Sequence, residues 1–277
     1  AYNSLLKEYE FWQTKRSSPN GLNVYGNHSP MTDERIDTLY KVYLKRTGSS
    51  GSESRKFRRS AAHLVYTYCE SGWDCSSRFE FDGEFCNPVD LNSLLFGFER
   101  QMAQFCRILG NGKENEWEKR AENRKRIMDE LLRESSGGFY LDYNFRTESL
   151  SPVISAASFF PAFVGITDDA DGIQRLIDLM LIKYGISASA PGPAVNGYQW
   201  DYPNIWAPLQ YIAYEACLKC GCETAAREIC RRYISLIDSS FERNGDLWEK
   251  YDGNTGEVAS QEYTAPSMLG WTAGVYL

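Results

Sequence analysis

Apolar residues recur at helical spacing along most of this chain, in stripes separated by turn-forming residues. Leu5, Leu6, Tyr9 and Trp12 make the first stripe, and a loop rich in Ser, Asn, Gly and Pro follows over residues 16–30. Thr32 stands as the N-cap of a second helix with Ile36, Leu39, Tyr40, Tyr43 and Leu44 on one face. The run Thr-Gly-Ser-Ser-Gly-Ser-Glu-Ser at 47–54 reads as an exposed, flexible connection. Ala61, Leu64, Val65 and Tyr68 stripe a third helix over 56–69, which Gly72 breaks. Asp90 opens a long helix with Leu91, Leu94, Leu95, Phe98, Met102, Phe105 and Leu109, closed by Gly110-Asn111-Gly112. The next helix, 114–134, sets Trp117, Ala121, Met128, Leu131 and Leu132 against a charged face of Lys119, Arg120, Arg124, Lys125 and Arg126. That face reads as solvated, with helical partners such as Glu116 and Glu122. Residues 137–143 alternate briefly, as a short strand or extended loop. Residues 152–164 are apolar almost all round, which predicts burial. A helix over 172–184 ends at Gly185, and 206–219 with 223–239 predict a helical hairpin split at Gly221. The segment 247–251, a loop, and a short apolar helix over 266–277 complete the pattern.

About ten helices therefore come in pairs, and strands are nearly absent. The stretches with chemical character fall in loops at one kind of junction. This is the layout of an all-α toroid, a single α/α barrel whose inner-helix loops build a pocket, with no linker dividing it. Hydrophobic content of 43% and aromatic content of 14% suffice for a packed core, and seven Trp and eighteen Tyr suit both core packing and sugar platforms. The net charge of −7 argues against nucleic acid as a partner. No apolar run approaches the ~20 residues that span a bilayer. No signal peptide is visible after Ala1, and the reading is of a soluble protein, with the cytoplasm slightly favoured and secretion or a periplasmic location open. Cys217-x-x-Cys220-x-Cys222 with Cys230 has zinc-like spacing, yet these residues lie in helical patterns and the two His residues, His28 and His63, are far off. Buried or free thiols are expected instead, and both His residues read as structural or solvent-facing.

The stretch around which the rest is organised is Glu70-Ser71-Gly72-Trp73-Asp74-Cys75-Ser76-Ser77-Arg78-Phe79. An acidic residue, an indole and an arginine collect there at a helix end. A flat ring offers a face to a sugar, and a carboxyl beside it is in the kind of site that raises a pKa.

This segment resembles the part of the trehalases, inverting glycoside hydrolases, that carries the catalytic acid. A second block, Gln199-Trp200-Asp201-Tyr202-Pro203-Asn204-Ile205-Trp206-Ala207-Pro208, resembles the trehalase signature more closely still. A third, Glu249-Lys250-Tyr251-Asp252 with Glu262-Tyr263 and Gly270-Trp271-Thr272, resembles the segment with the base. Weaker likeness lies at Val89-Asp90-Leu91-Asn92 and Tyr140-Leu141-Asp142-Tyr143. The resemblance covers most of the chain from about Asp33. It implies an (α/α)6 barrel of twelve helices, of which this chain is the C-terminal part. It also implies hydrolysis of α,α-trehalose without metal or organic cofactor, Asp74 as general acid and Glu262 as general base.

In this reading Gly72, Trp73, Gln199, Trp200, Asn204 and Tyr263 contact sugar, and Arg78, Glu70 and Asp201 support them from behind. Asp201 caps the following helix or holds the loop, Arg78 pairs with Glu70 or another carboxylate, and Trp206 is core. The chain also departs from the family. Arg46-Thr47-Gly48-Ser49-Ser50 keeps the Arg of an Arg-Pro-Glu-Ser-Tyr stretch but loses its Glu, leaving Arg46 as the sugar contact there. A glycine run ahead of the base is replaced by Gly256-Glu257-Val258-Ala259-Ser260-Gln261. Two rivals follow: an inverting glycosidase for another α-glycoside, and a sugar-binding relative without turnover.

Overall fold

The computed structural model describes residues 1–26, 30–80, 83–267 and 270–277; His28 and part of the predicted 266–277 helix lie outside them. The helices are α1 (Tyr2–Lys15), α2 (Asp33–Thr47), α3 (Arg55–Ser71), α4 (Val89–Leu109), α5 (Glu114–Leu131), α6 (Phe160–Phe163), α7 (Ala170–Met180), α8 (Ala207–Lys219), α9 (Glu223–Asn244) and α10 (Trp271–Tyr276). Their ends follow local chemistry. Thr32 Oγ1 accepts the Arg35 N–H at 3.2 Å, a cap of the kind that contributes ~1 kcal/mol. Gly72 ends α3 at φ 75°, a left-handed position that turns the chain directly into Trp73 and Asp74.

α2 packs on α3, α4 on α5 and α8 on α9 as antiparallel hairpins, while α6 bridges α4 and α8, and α10 lies against α8. Among the described residues, strands are two or three residues long and antiparallel. β1 (Cys86–Asn87), β2 (Tyr143–Asn144) and β3 (Ser149–Leu150) form one sheet, β4 (Leu181–Ile182) and β5 (Gly185–Ile186) a second, and β6 (Asn204–Trp206) and β7 (Lys250–Asp252) a third. They join loops rather than form a layer. The last sheet matters most, because its register sets Trp206 opposite Lys250 and so brings the second and third sequence blocks together.

Three expectations are corrected. The 47–54 connection is pinned and partly buried: the Tyr40 hydroxyl accepts the Ser52 N–H at 2.6 Å and donates to the Ser52 carbonyl at 3.0 Å. Arg124 is not solvated. It is buried between α5 and α4, where it holds Glu99 at 2.8 Å and donates to Asn23 and Asn92, both at 2.9 Å. Lys125 and Arg126 pair one turn onward with Asp129 and Glu130, not with Glu116 or Glu122. Residues 152–164 are buried as expected, as a 3-10 turn (Ala156–Phe159) running into α6.

Arg78 anchors the framework. Its side chain is fully buried and doubly bonded to each of two carboxylates: Asp142 through Nε and Nη2 at 2.6 and 2.8 Å, and Asp90 through Nη1 and Nη2 at 2.9 and 2.5 Å. Asp142 also accepts the Val89 N–H at 2.8 Å, fixing the start of α4. Burial pushes the Asp142 carboxyl up, and Arg78 opposes the shift. The weaker likenesses at 89–92 and 140–143 are thus the segments that supply the partners of Arg78. Arg78→Met should destabilise the protein by about 3–5 kcal/mol, because it leaves two buried carboxylates uncompensated. Urea unfolding monitored by circular dichroism measures this, and a loss below ~1 kcal/mol would deny Arg78 that role.

Candidate active site

Asp74 follows the left-handed turn at Gly72 and is about one third exposed, with Oδ2 accepting Arg46 Nη1 at 2.8 Å. The same guanidinium stands 3.5 Å from Glu262 Oε2 through Nε. One arginine from the end of α2 therefore touches two carboxyl groups that are remote in sequence. Glu262 has an exposed backbone at φ 64°, but its side chain is tucked inward and 9% exposed. Its Oε1 accepts the Gln199 N–H at 3.3 Å. Burial pushes the Glu262 carboxyl up. The Gln199 N–H, the Arg46 guanidinium, the Cys75 thiol and the Lys250 ammonium pull it back.

The loop carrying Asp74 is seated by the second block. Asp201 accepts the Ser77 N–H at 3.0 Å, the Ser77 hydroxyl at 2.6 Å, the Ser76 hydroxyl at 3.3 Å and the Tyr198 N–H at 3.0 Å. It holds two loops together and does not cap α8, whose N-cap is Trp206. Burial pushes the Asp201 carboxyl up, against these donors. Further on, Glu80 accepts the Tyr198 hydroxyl at 2.9 Å.

The predicted sugar-facing rings are packed instead. Trp200 stacks on Trp206, with centroids 3.8 Å apart and planes 3° apart, and meets Trp73 at 5.1 Å. Trp73 lies beneath the Arg78 guanidinium at 4.7 Å. Their exposures are 7% for Trp200 and 5% for Trp73, too little for a platform. Four rings with Trp271 close this corner of the core, and Trp206 is core as expected. Trp200→Ala should accordingly cost about 3–5 kcal/mol of stability in a urea melt. Unchanged stability with weakened sugar affinity would return Trp200 to a platform.

Gln199 and Asn204 are buried as well. Gln199 Oε1 accepts Lys250 Nζ at 3.0 Å, and Asn204 Nδ2 donates to the Tyr198 carbonyl at 3.2 Å, so both order loops rather than face a cleft. Glu70 does not pair with Arg78. It takes Arg16 through Nε and Nη2, the latter at 2.6 Å, and accepts the Gly26 N–H, so it fastens the loop after α1. Tyr263 is about one third exposed, and its hydroxyl donates to Glu249 Oε2 at 2.5 Å. Of the named residues, Arg46, Asp74, Glu262 and Tyr263 share one accessible cluster, with Gly72 at its edge, where an added Cβ would meet open space.

Three members were not singled out from sequence. Glu249 and Lys250 were visible only as part of a block, and the sulfur of Cys75 is a neighbour of Glu262 that no spacing rule predicts. Among the described residues, no group of three His, Cys, Asp or Glu side chains is arranged to hold a metal. Burial pushes the Cys217 and Cys220 thiols up to about 12 and about 11. His63 is buried in α3 with Glu84 at 3.7 Å.

The comparisons with known proteins agree among themselves. A curated periplasmic trehalase of Xanthomonas campestris pv. campestris (strain 8004) is 34% identical over 257 residues, covering 88% of this chain and 45% of that protein. A periplasmic trehalase of Pseudomonas aeruginosa is 36% identical over 222 residues, covering 75% of this chain and 40% of that protein. The chain thus spans about half the length of the curated relatives it matches. Neutral trehalase Nth1 from Saccharomyces cerevisiae superposes with a TM-score of 0.76 at 22% identity, over 99% of this chain and 55% of that one. A GH63 mannosylglycerate hydrolase from Thermus thermophilus gives 0.65 at 16% identity, over 99% of this chain and 69% of that one. The two structural likenesses show the fold, the all-α (α/α)6 toroid that the sequence resemblance implied. The sequence model of the Trehalase family matches residues 1–277, and on that match the chain belongs to the trehalase family.

Proposed function

We propose that this chain carries the acid–base centre of an inverting glycoside hydrolase that cleaves α,α-trehalose to two glucose molecules. The observation that carries the reading is the double contact of Arg46 with Asp74 and Glu262. The reach of one guanidinium keeps those carboxyl groups inside the ~9.5 Å upper limit for the acid and base of an inverting glycosidase. In the reaction, Asp74 delivers its proton to the glycosidic oxygen as the C–O bond breaks. Glu262 takes a proton from the water that attacks the opposite face of the ring. Arg46, which bridges the carboxyls, turns to the sugar hydroxyls when substrate separates them. No metal or organic cofactor enters these steps.

A second reading of the base rests on Glu249. Its carboxylate is half-buried beside the cluster and bonded to the Tyr263 hydroxyl, whereas Glu262 is already engaged by Arg46 and the Gln199 N–H. A base needs an open side for its water, which favours Glu249.

We read the chain as the C-terminal part of a larger barrel domain. The support is its share of the relatives' length and an apolar groove of about 320 Å³ between α8, α9 and α10, lined by Tyr211, Tyr214 and Val275. We place it in the periplasm on the names of the relatives, replacing the cytoplasmic preference drawn from sequence, which they do not support. Among the described residues no helix is long and apolar enough to cross a membrane.

The test is to incubate the protein with trehalose and a panel of other α-glucosides and follow the first anomer by NMR. β-Glucose released from trehalose ahead of mutarotation is the expected result. Release of α-glucose alone would reject inversion, faster cleavage of another glycoside would reject trehalose as substrate, and binding without turnover would reject hydrolysis.

A further inference from the structure

We propose that Lys250 is the positioning residue of the Glu262 loop: its ammonium grips the chain on both sides of Glu262 and ties that loop to Gln199. Lys250 lies in β7 opposite Trp206 and is fully buried. Its Nζ donates to the Gln261 carbonyl at 2.9 Å and to Gln199 Oε1 at 3.0 Å, and lies 3.9 Å from the centroid of the Tyr263 ring. The residues on either side of Glu262 are therefore both held by one charge, and the third acceptor belongs to the second sequence block.

Glu262 needs such a grip. A glutamate at φ 64° is strained by ~1–3 kcal/mol and persists only where its surroundings over-determine it. Between Gly256 and Glu262 the chain runs Glu257-Val258-Ala259-Ser260-Gln261, with no glycine to absorb the turn. A buried ammonium is itself costly unless its hydrogen bonds and charges are met, so the amine and the loop stabilise each other. The charged and titratable groups that face it are Glu262 from the loop, Glu249 from its own strand end and Arg46 from α2, with the Tyr263 ring beneath the amine, its hydroxyl turned to Glu249, and the Cys75 thiol beyond Glu262. Glu262 and Glu249 favour the ammonium and Arg46 opposes it; burial dominates and pushes the amine down to about 8. The amine is therefore charged at neutral pH, and the grip weakens as pH rises through about 8.

This inference rests on the proposed hydrolytic site only for its kinetic consequence, so the test has two readouts. Hydrogen exchange is measured over residues 259–265, and kcat and KM on trehalose are measured against pH, for wild type, Lys250→Met and Lys250→Arg. In Lys250→Met, exchange over 259–265 should rise at least about tenfold while α4 and α5 stay protected. Its kcat should fall about 100-fold, with KM changing far less. Lys250→Arg keeps a charge that does not titrate, and the alkaline limb of its rate profile should move up from the wild-type position near 8. Wild-type exchange, or faster exchange with wild-type kcat, in Lys250→Met would overturn the proposal. If that variant loses protection throughout α4 and α5, Lys250→Arg decides: an unmoved alkaline limb overturns it. If wild type does not cleave trehalose, the hydrolytic reading fails, and exchange alone decides the role of Lys250.

Discussion

Asp74→Asn should lower kcat on trehalose by about 10²–10⁴-fold, the span that general acid catalysis supplies. The amide matches the carboxyl in size, and its oxygen still accepts the Arg46 N–H that now lies 2.8 Å from Oδ2. What it lacks is a proton to give the departing oxygen as the glycosidic bond breaks. Stability should move by no more than ~1 kcal/mol, because the ion pair with Arg46 is about one third exposed and surface pairs of this kind contribute little. The measurements are steady-state kinetics on trehalose and a urea melt of the same preparation. A substrate with a strongly acidic leaving alcohol should recover much of the loss, since it departs without protonation. Asp74→Asn with near wild-type turnover on trehalose would remove Asp74 from the mechanism.

Replacing the base should cost a comparable ~10²–10⁴-fold, but with a different rescue. The base of an inverting enzyme never bonds to the sugar; it only deprotonates water. A leaving group that departs unaided therefore gains nothing in a variant without the base. A small anion such as azide needs no deprotonation, fits the vacated space, and attacks from the same face to give β-glucosyl azide. Glu262→Gln and Glu249→Gln should be compared side by side. Azide rescue in Glu262→Gln assigns the role to Glu262, and rescue in Glu249→Gln alone transfers it to Glu249. A retaining enzyme, whose nucleophile sits ~5–5.5 Å from the acid, would give a glycosyl azide of retained configuration when its acid–base residue is removed. That product would sink the inverting assignment.

Much of the fold was legible because helical periodicity and caps are local signals. The stripes of α1 to α4, the cap at Thr32 and the breaks at Gly72, Gly110 and Gly221 all lie in the sequence within one turn of where the structure has them. The pairing of charges was not legible. Arg124 sits in a run that looks solvated, and only the packing of α5 on α4 turns it toward Glu99. Sequence left Arg78 to pair with Glu70 or another carboxylate, and only the fold selects Asp90 and Asp142 as its partners. Trp73 and Trp200 misled in the opposite sense. An indole in a polar loop reads as exposed, but its packing is decided by the ring it meets across the fold. Family resemblance named Arg46 and the Asp74 and Glu262 segments, and the structure added that this one arginine touches both carboxyl groups. Lys250 escaped notice because a lysine between Glu and Tyr reads as surface.

The bonds from Ser77 to Asp201 carry a consequence for the order in which the molecule is made. They join positions 124 residues apart, so the chain that carries the acid is synthesised long before the carboxylate that seats it. The entropy of closing so long a loop grows only as the logarithm of its length, and the helical hairpins in between shorten the effective span. What is delayed is therefore not the energy of the closure but its opportunity. A nascent chain that has passed α5 already has α2–α3 and α4–α5 available as local hairpins, while the Ser76–Ser77 end of the Asp74 loop still waits for Asp201. Helix content should accordingly precede competence during synthesis, and a ribosome stalled before residue 201 should hold a largely helical chain in which Ser76 and Ser77 still lack the carboxylate that seats the acid's loop.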